Sequence, residues 1–495
     1  MVEKEERILR QNAQDVNRHA ETFQEMKIYN AMRKGITEGK KREKRRIYST
    51  GMGVTAAAAV AVLLTFSFLN GAPVTEVSEH SVQTASTKNW DDFKEYRLSS
   101  RLLDPALASA LEQNLVKPVR QSAESKGYRV DVAGAVTDGR KVFVLYSVQN
   151  NTDKEIDHAD FSLQFGAFKD PYPGKGTVLM MLGPESRIPP GQSVDFIYST
   201  NLPPSVHSKE ANYHVALTET SEEALASSGS RKSKYRTDLD IAFELDPDML
   251  KNQQHTLTAD RTLTVDGQKI NVRQVLYTPL STYVDLEYDK NNEKRIFQLI
   301  NPVLISKKGD TAEKIYYPGI ITSDNSVAYS DDSKATLVFR NSRYSQPDSV
   351  TLKTFGISAV DKDQMKIVVD LDKKQIIEAP GSGLELVEPT PEDHAEAGEI
   401  LLRHKIYNGQ FFKNTFTILA DSFTDAEGTV HKRVNSTVLG NFGSHMLSKD
   451  GTAVDEFQFN FGEKAKDYPQ PLTIPIERYQ NPIMDTQAVE LYSKN

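Results

Sequence analysis

From residue 128 onward apolar and polar residues alternate along most of the chain, as in YRVDVAGAV and KVFVLYSV. A period of two sends successive side chains to opposite faces of a sheet, so these runs predict strands. The pattern comes in units. YRVDVAGAVTDGRKVFVLYSV from residue 128, KINVRQVLYTPLSTYVDLEY from 269 and EILLRHKIYNGQFFKNTFTILA from 399 each read as a strand, a turn-rich gap and a second strand. Their starts lie about 141 and 130 residues apart. Each unit also closes alike, with a strand, a proline-bearing connection and another strand: VDFIYSTNLPPSVHSKEANYHVALTE, ATLVFRNSRYSQPDSVTLKTFGIS and FQFNFGEKAKDYPQPLTIPIERY. Three Ig-like β-sandwich modules in tandem are expected, over residues 90–246, 247–380 and 381–495. The joints fall near 246 and 380, where LDPDML and EAPGSGLE supply turn and linker chemistry. The first module should open with a helix at DPALASALEQNL, because Ala106, Ala110 and Leu111 recur at helical spacing behind Asp104-Pro105.

The N-terminal residues carry other periods. Residues 47–69 contain no charge, and a helix of that length rises roughly 35 Å, enough for a hydrocarbon core of about 30 Å. Residues 3–34 contain neither Gly nor Pro, and Leu9, Ala13, Val16, Ala20 and Phe23 fall on one helical seam. A second stripe, Ile28, Met32 and Ile36, runs on toward the apolar stretch. A segment this short cannot bury such a face within itself. The face must meet another copy, the membrane surface or a cytoplasmic partner. Leu9, Val16, Phe23, Ile28 and Met32 are the candidate partner-binding residues.

Charge orients this arrangement. Nine Lys and Arg lie in residues 27–46, and only Lys88 lies in residues 70–89. The positive-inside bias then places residues 1–46 in the cytoplasm as an amphipathic stub, residues 47–69 across the cell membrane, and the rest outside behind a polar stalk, residues 70–89. Lys40, Lys41, Arg42, Lys44, Arg45 and Arg46 are read as topology determinants touching anionic lipid, not as a nucleic-acid patch. A secretory signal has a short basic region, an apolar run of about 7 to 15 residues and a small-x-small cleavage site. Forty-six largely polar residues precede this stretch and NGAPVTE follows it, so a retained anchor is expected.

Composition removes whole classes of chemistry. The chain has no cysteine, which excludes disulfides, thiolate nucleophiles and zinc-cysteine clusters. It contains no H-E-x-x-H, G-x-S-x-G or G-x-x-x-x-G-K-[ST], so no enzyme, metal or cofactor is expected. DKNNEKRIFQLI from residue 289 begins like a calcium loop, yet Lys294 stands where glycine is needed and Ile300 where the bidentate Glu belongs, so it reads as a strand-connecting turn. His394 and His404 have no second ligand at metal spacing, and the acidic pairs around 331, 361 and 370 read as exposed turns.

KPVRQSAESKGYRVDVAGAVTDGRKVFVLYSVQNNTDKE, residues 117–155, resembles the opening of an ectodomain of unknown function found in Gram-positive membrane proteins. That family resembles transmembrane anti-sigma factors for extracytoplasmic-function sigma factors. The run from Gly35 through Arg42 before the apolar stretch is also similar to theirs, and PLTIPIERYQNPIMDTQAVELY is similar to a second domain of unknown function. Zinc-type anti-sigma domains carry a His-x-x-x-Cys-x-x-Cys run, which a chain without cysteine lacks. The resemblance therefore implies that a sigma factor would be held by the Leu9 to Phe23 seam, the Ile28 stripe and neighbouring charges. The expected protein is a membrane-anchored regulator of transcription that sequesters a sigma factor inside and senses a ligand or a membrane partner outside. The alternative is an envelope-binding or structural surface protein whose stub only anchors it.

Overall fold

The structure is a computed structural model that describes residues 82–85, 93, 96, 104–166, 168–169, 177–180, 187–202, 208–221, 224, 234–316, 327–330, 333–387, 398–406, 417–434, 444–447 and 453–494. The stub, the apolar stretch and most of the stalk lie outside the described residues. Among the described residues no helix is long and apolar enough to cross a membrane. What they form is mainly β, as the alternation requires: one α-helix and seven antiparallel sheets that pack as sandwiches.

The first sandwich lays one sheet, in the order Val82–Ala85, Lys117–Ser125, Tyr128–Thr137, Lys141–Asn150, Ser193–Asn201 and Thr177–Met180, over a second built on Arg236–Glu244, Glu210–Glu219 and Ile156–Phe165. Between them lie Val130, Val132, Val144, Tyr146, Phe196 and Tyr198 from one sheet and Phe161, Leu163, Tyr213, Val215 and Ile241 from the other. The alternate residues of the first sheet, Ala133, Val136, Phe143, Leu145 and Ile197, are buried as well, beneath the helix Pro105–Glu112. That helix starts where expected: Asp104 Oδ1 accepts from the amides of Ala106 and Leu107, at 2.9 and 3.4 Å. A sheet covered on both faces has near-continuous apolar strands, which is why YRVDVAGAV is so poor in polar residues. Gly134 is required by close packing, since a Cβ there would lie 2.8 Å from the Phe93 ring and 2.9 Å from the Lys117 carbonyl oxygen. The strand Val82–Ala85 falls within the segment read as stalk and pairs with Gln121–Glu124.

The middle sandwich repeats this plan. Its larger sheet runs His255–Val265, Gln268–Tyr277, Thr282–Tyr288, Lys334–Phe339, Val327–Ser330, the same sequential order as in the first sandwich without its first strand. Even the opening hairpins match, closing through Lys126-Gly127 and Asp266-Gly267, all four at positive φ as a two-residue type I′ turn demands. In all three sandwiches the proline-bearing closure carries the chain from one sheet to the facing one: Ser193–Asn201 to Glu210–Glu219, Lys334–Phe339 to Ser349–Thr354, and Ala453–Asn460 to Leu472–Arg478.

Two expectations are corrected by the strand pairing. The third repeat is one strand out of phase: Glu399–Ile406 lies between Leu384–Val387 and Ala453–Asn460, the place Thr282–Tyr288 occupies in the middle sandwich. Ile418–Leu419, read as its hairpin partner, pairs instead with Leu472–Arg478 in the facing sheet. The second joint also lies earlier than 380. The chain leaves the middle sandwich at the 3-10 turn Lys362–Gln364, and Lys366–Asp370 and Gln375–Glu378 already belong to the C-terminal sheet. It then returns, because Pro482–Ile483 pairs with Gly356–Asp361, and Gln487–Ser493 completes the middle sandwich beside Ser349–Thr354. The two sandwiches share side chains accordingly. Leu491 is buried in the middle core, while Phe297 and Val360 from middle strands are buried in the C-terminal one.

Candidate functional site

Every residue the sequence singles out for partner binding or topology precedes residue 82, so Leu9, Val16, Phe23, Ile28, Met32 and the basic run from Lys40 to Arg46 lie outside the described residues. Three polar constellations stand out within the sandwiches.

The first is the TDGRK loop between the strands Tyr128–Thr137 and Lys141–Asn150, part of the stretch that carries the family resemblance. Asp138 Oδ1 accepts from the amides of Arg140 and Lys141, which tightens the loop, and Oδ2 accepts from Thr278 Oγ1 at 2.6 Å and Tyr283 Oη at 2.8 Å in the middle sandwich. Arg140 donates through both terminal nitrogens to Asp285, at 3.1 and 2.8 Å. Burial alone would raise the Asp285 carboxyl, but the Arg140 guanidinium and donors from Thr336 and Gln274 hold it below its ordinary value. Tyr283 goes the other way, pushed well above the phenol range by burial and by the Asp138 carboxylate. Leu280, two residues after Thr278, is buried in the apolar cluster under the helix. Each charged group of the loop has a partner, so the loop is a joint between the first and middle sandwiches and offers no free group to a ligand.

The second is an open groove of about 920 Å³ on the outer face of the sheet built on Glu210–Glu219 and Arg236–Glu244. Asn212, Glu210, Asp240 and Glu244 line it with Lys209 and Gln164. Beside it His214 stands between two carboxylates, Nδ1 at 3.0 Å from Asp240 and Nε2 at 3.3 Å from Asp238. The hydrogen bond to Asp240 raises His214 above its ordinary value despite partial burial, and the same bond lowers Asp240. Lys209 is paired with Asp246 at 3.0 Å. The groove holds hydrogen-bonding side chains and a net acidic rim, which suits recognition of a polar or cationic group. Among the described residues there is no cluster of three or more His, Asp or Glu arranged to hold a metal ion.

The third lies inside the C-terminal sandwich. His404 and Asp455 stand directly opposite one another on Glu399–Ile406 and Ala453–Asn460, and both are buried. The Tyr479 ring stacks on His404 at 4.7 Å, and the Thr417 amide donates to Asp455 Oδ2 at 3.2 Å. Burial drives the two in opposite senses, lowering His404 to about 4 and raising Asp455 to about 6. His394 lies outside the described residues. The DKNNEK stretch is the turn between Thr282–Tyr288 and Lys294–Ile300, with Asn292 turned inward to the Lys269 backbone at 2.8 and 2.9 Å. Asp370 accepts from the Lys373 amide and ammonium, but it is buried, so that acidic turn is not the exposed one expected.

The molecule is thus a tandem β-sandwich protein with polar constellations at one joint, on one outer sheet face and inside the C-terminal sandwich. A family of unknown function, DUF5643, matches residues 254–386, which take in the N-terminal strands of the middle sandwich and run on into the first strands of the C-terminal one. No curated protein matches the chain. Among solved structures, the crystal structure of the conserved domain protein from Bacillus anthracis is similar at 13% identity and a TM-score of 0.33, over 53% of this chain and 84% of that one.

Proposed function

We propose that the protein is a single-pass membrane regulator of the anti-sigma type. Its cytoplasmic stub sequesters an extracytoplasmic-function sigma factor, and its sandwiches face outward and sense the envelope. The observation that carries this reading is the pattern of residues 1–89: an amphipathic seam too short to bury itself, nine Lys and Arg before an uncharged stretch, and one Lys after it. The match of residues 254–386 to a domain of unknown function is consistent with an ectodomain. In this arrangement the acidic groove beside His214 is the surface offered to an outside ligand, and the joint at Asp138 and Arg140 transmits between the first and middle sandwiches.

The test is a crosslinking pull-down from membranes, comparing the full chain with a version carrying Leu9→Asp, Val16→Asp and Phe23→Asp. A sigma factor captured by the first and lost with the second is the expected result. Capture of envelope proteins alone by both versions would overturn it and favour a surface protein with a plain anchor.

A further inference from the structure

The chain crosses back from the C-terminal to the middle sandwich through a short stretch, Tyr479 to Asn481, and that part of the joint is fastened at both ends. Toward the middle sandwich, Ser358 Oγ donates to the Tyr479 carbonyl oxygen at 3.1 Å and accepts from the Asn481 amide at 3.1 Å. Asn481 also donates through Nδ2 to the Ala359 carbonyl at 2.7 Å, and the Ala359 amide donates to the Asn481 carbonyl at 3.1 Å. Toward the C-terminal sandwich, the Tyr479 ring covers His404 and the Gln480 side chain bonds Asp455. An acid and a base thus sit side by side under one strap, His404 at 3% exposure and Asp455 at 0%.

Their inward neighbours along the strands are apolar, and the polar groups that reach them are Thr417 and Gln480 at Asp455 and the Ser382 backbone at His404. Leu402, Phe457, Ile474 and Ile476 belong to the same core. The charged neighbours in sequence alternate to the opposite face and pair there, Arg403 with Glu456 and Lys405 with Glu385. Tyr479 is the other ionisable side chain against the pair, and by register His445 stands opposite Asp455 on Ser444–Leu447.

We propose that His404 and Asp455 are a proton-compensating pair that keeps this joint equally closed from about pH 7 to pH 5. Burial penalises the charged form of each, so the folded pair resists both an ionised Asp455 and a protonated His404. The signs oppose. Asp455, raised in the folded state, favours the closed joint below its ordinary value of 3.8 and loses that contribution as pH rises through about 6. His404, lowered, favours closure above its ordinary 6.5 and loses that contribution as pH falls toward about 4. On acidification the closed joint takes up a proton at Asp455 while an opened one takes up a proton at His404. The opening equilibrium therefore barely moves.

Hydrogen exchange across residues 479–483, read by mass spectrometry on the full chain at pH 7 and pH 5 and corrected for intrinsic exchange, measures that equilibrium. The wild type should change less than about threefold. His404→Gln, which removes the base of this pair, should tighten roughly tenfold on acidification. The isosteric Asp455→Asn, which leaves only the base, should loosen roughly tenfold or more, and the double variant should be flat. If Asp455→Asn does not fold, His404→Gln carries the test alone. Single variants that track the wild type, or a wild type that itself changes tenfold, would overturn the proposal.

Discussion

Arg140 reaches from a hairpin tip of the first sandwich and grips Asp285 of the middle one through both carboxylate oxygens. The two residues are 145 positions apart in sequence, yet the contact is bidentate and mostly buried, with 10% and 18% of the side chains exposed. Deleting one partner of such a pair strands the other charge in a poor solvent. Arg140→Ala should therefore cost about 2 to 3 kcal/mol, short of the roughly 3 to 5 kcal/mol of a fully buried pair. Arg140→Lys should recover only part of this, because an ammonium cannot reproduce the two parallel bonds. Urea unfolding of the full chain checks both values.

Asp138 is expected to be as sensitive. Its Oδ2 is the acceptor shared by Thr278 and Tyr283. Asp138→Ala takes the acceptor from the Tyr283 hydroxyl and from the Arg140 and Lys141 amides, while Thr278 keeps the Ser281 carbonyl, and should cost about 2 to 4 kcal/mol, at roughly 1 to 2 kcal/mol for each donor left unpaired. Tyr283→Phe removes one donor cleanly and should cost about 1 kcal/mol. A double-mutant cycle of Asp138→Ala with Tyr283→Phe should be clearly non-additive.

The helix Pro105–Glu112 should respond to its cap. Asp104→Ala removes the acceptor for two first-turn amides and the partner of Lys141, whose Nζ lies 3.1 Å away. A cap of this kind is worth about 1 kcal/mol, and Asp104→Asn should retain most of it while losing the ion pair. Faster exchange of the amides of Ala106 and Leu107 in the Ala variant is the local readout.

His214 gives a pH dependence with a definite sign. Its folded pKa is raised, first by the bond to Asp240, so its contribution is full below the unfolded value and is lost as pH rises through the raised one. Asp240 is lowered by the same bond, so its share fades only as pH falls through that lowered value. The difference in stability between wild type and His214→Gln should thus be largest in mild acid and shrink above neutrality, as unfolding at about pH 5 and pH 8 would show.

The sheet architecture was legible because period two is a local property, and so was the helix, whose cap and apolar spacing are contiguous in sequence. What local pattern does not carry is which strand pairs with which. Glu399–Ile406 alternates equally well as the second strand of a unit as it would as the first, and its phase is settled only by the neighbours Leu384–Val387 and Ala453–Asn460. The loop DGRK drew notice as a motif, but its meaning lies in Thr278, Tyr283 and Asp285, about 140 residues downstream. His404 and Asp455 carried no signal at all. Each is the polar residue on the inward face of a strand whose outward face is itself polar, and only the register brings them together.

The return of Gln487–Ser493 to the middle sandwich has a consequence during synthesis. The first sandwich has all its strands once Glu244 has been made and can fold while the ribosome is still at work. The middle one begins at His255 but lacks the strand that carries buried Leu491 until Gln487–Ser493 has been made. It must wait, two strands short, for the C-terminal sandwich to emerge. A chain stopped before Gln487 loses the closing strand of the middle sandwich, and the damage is felt at Ser349–Thr354, well over a hundred residues upstream.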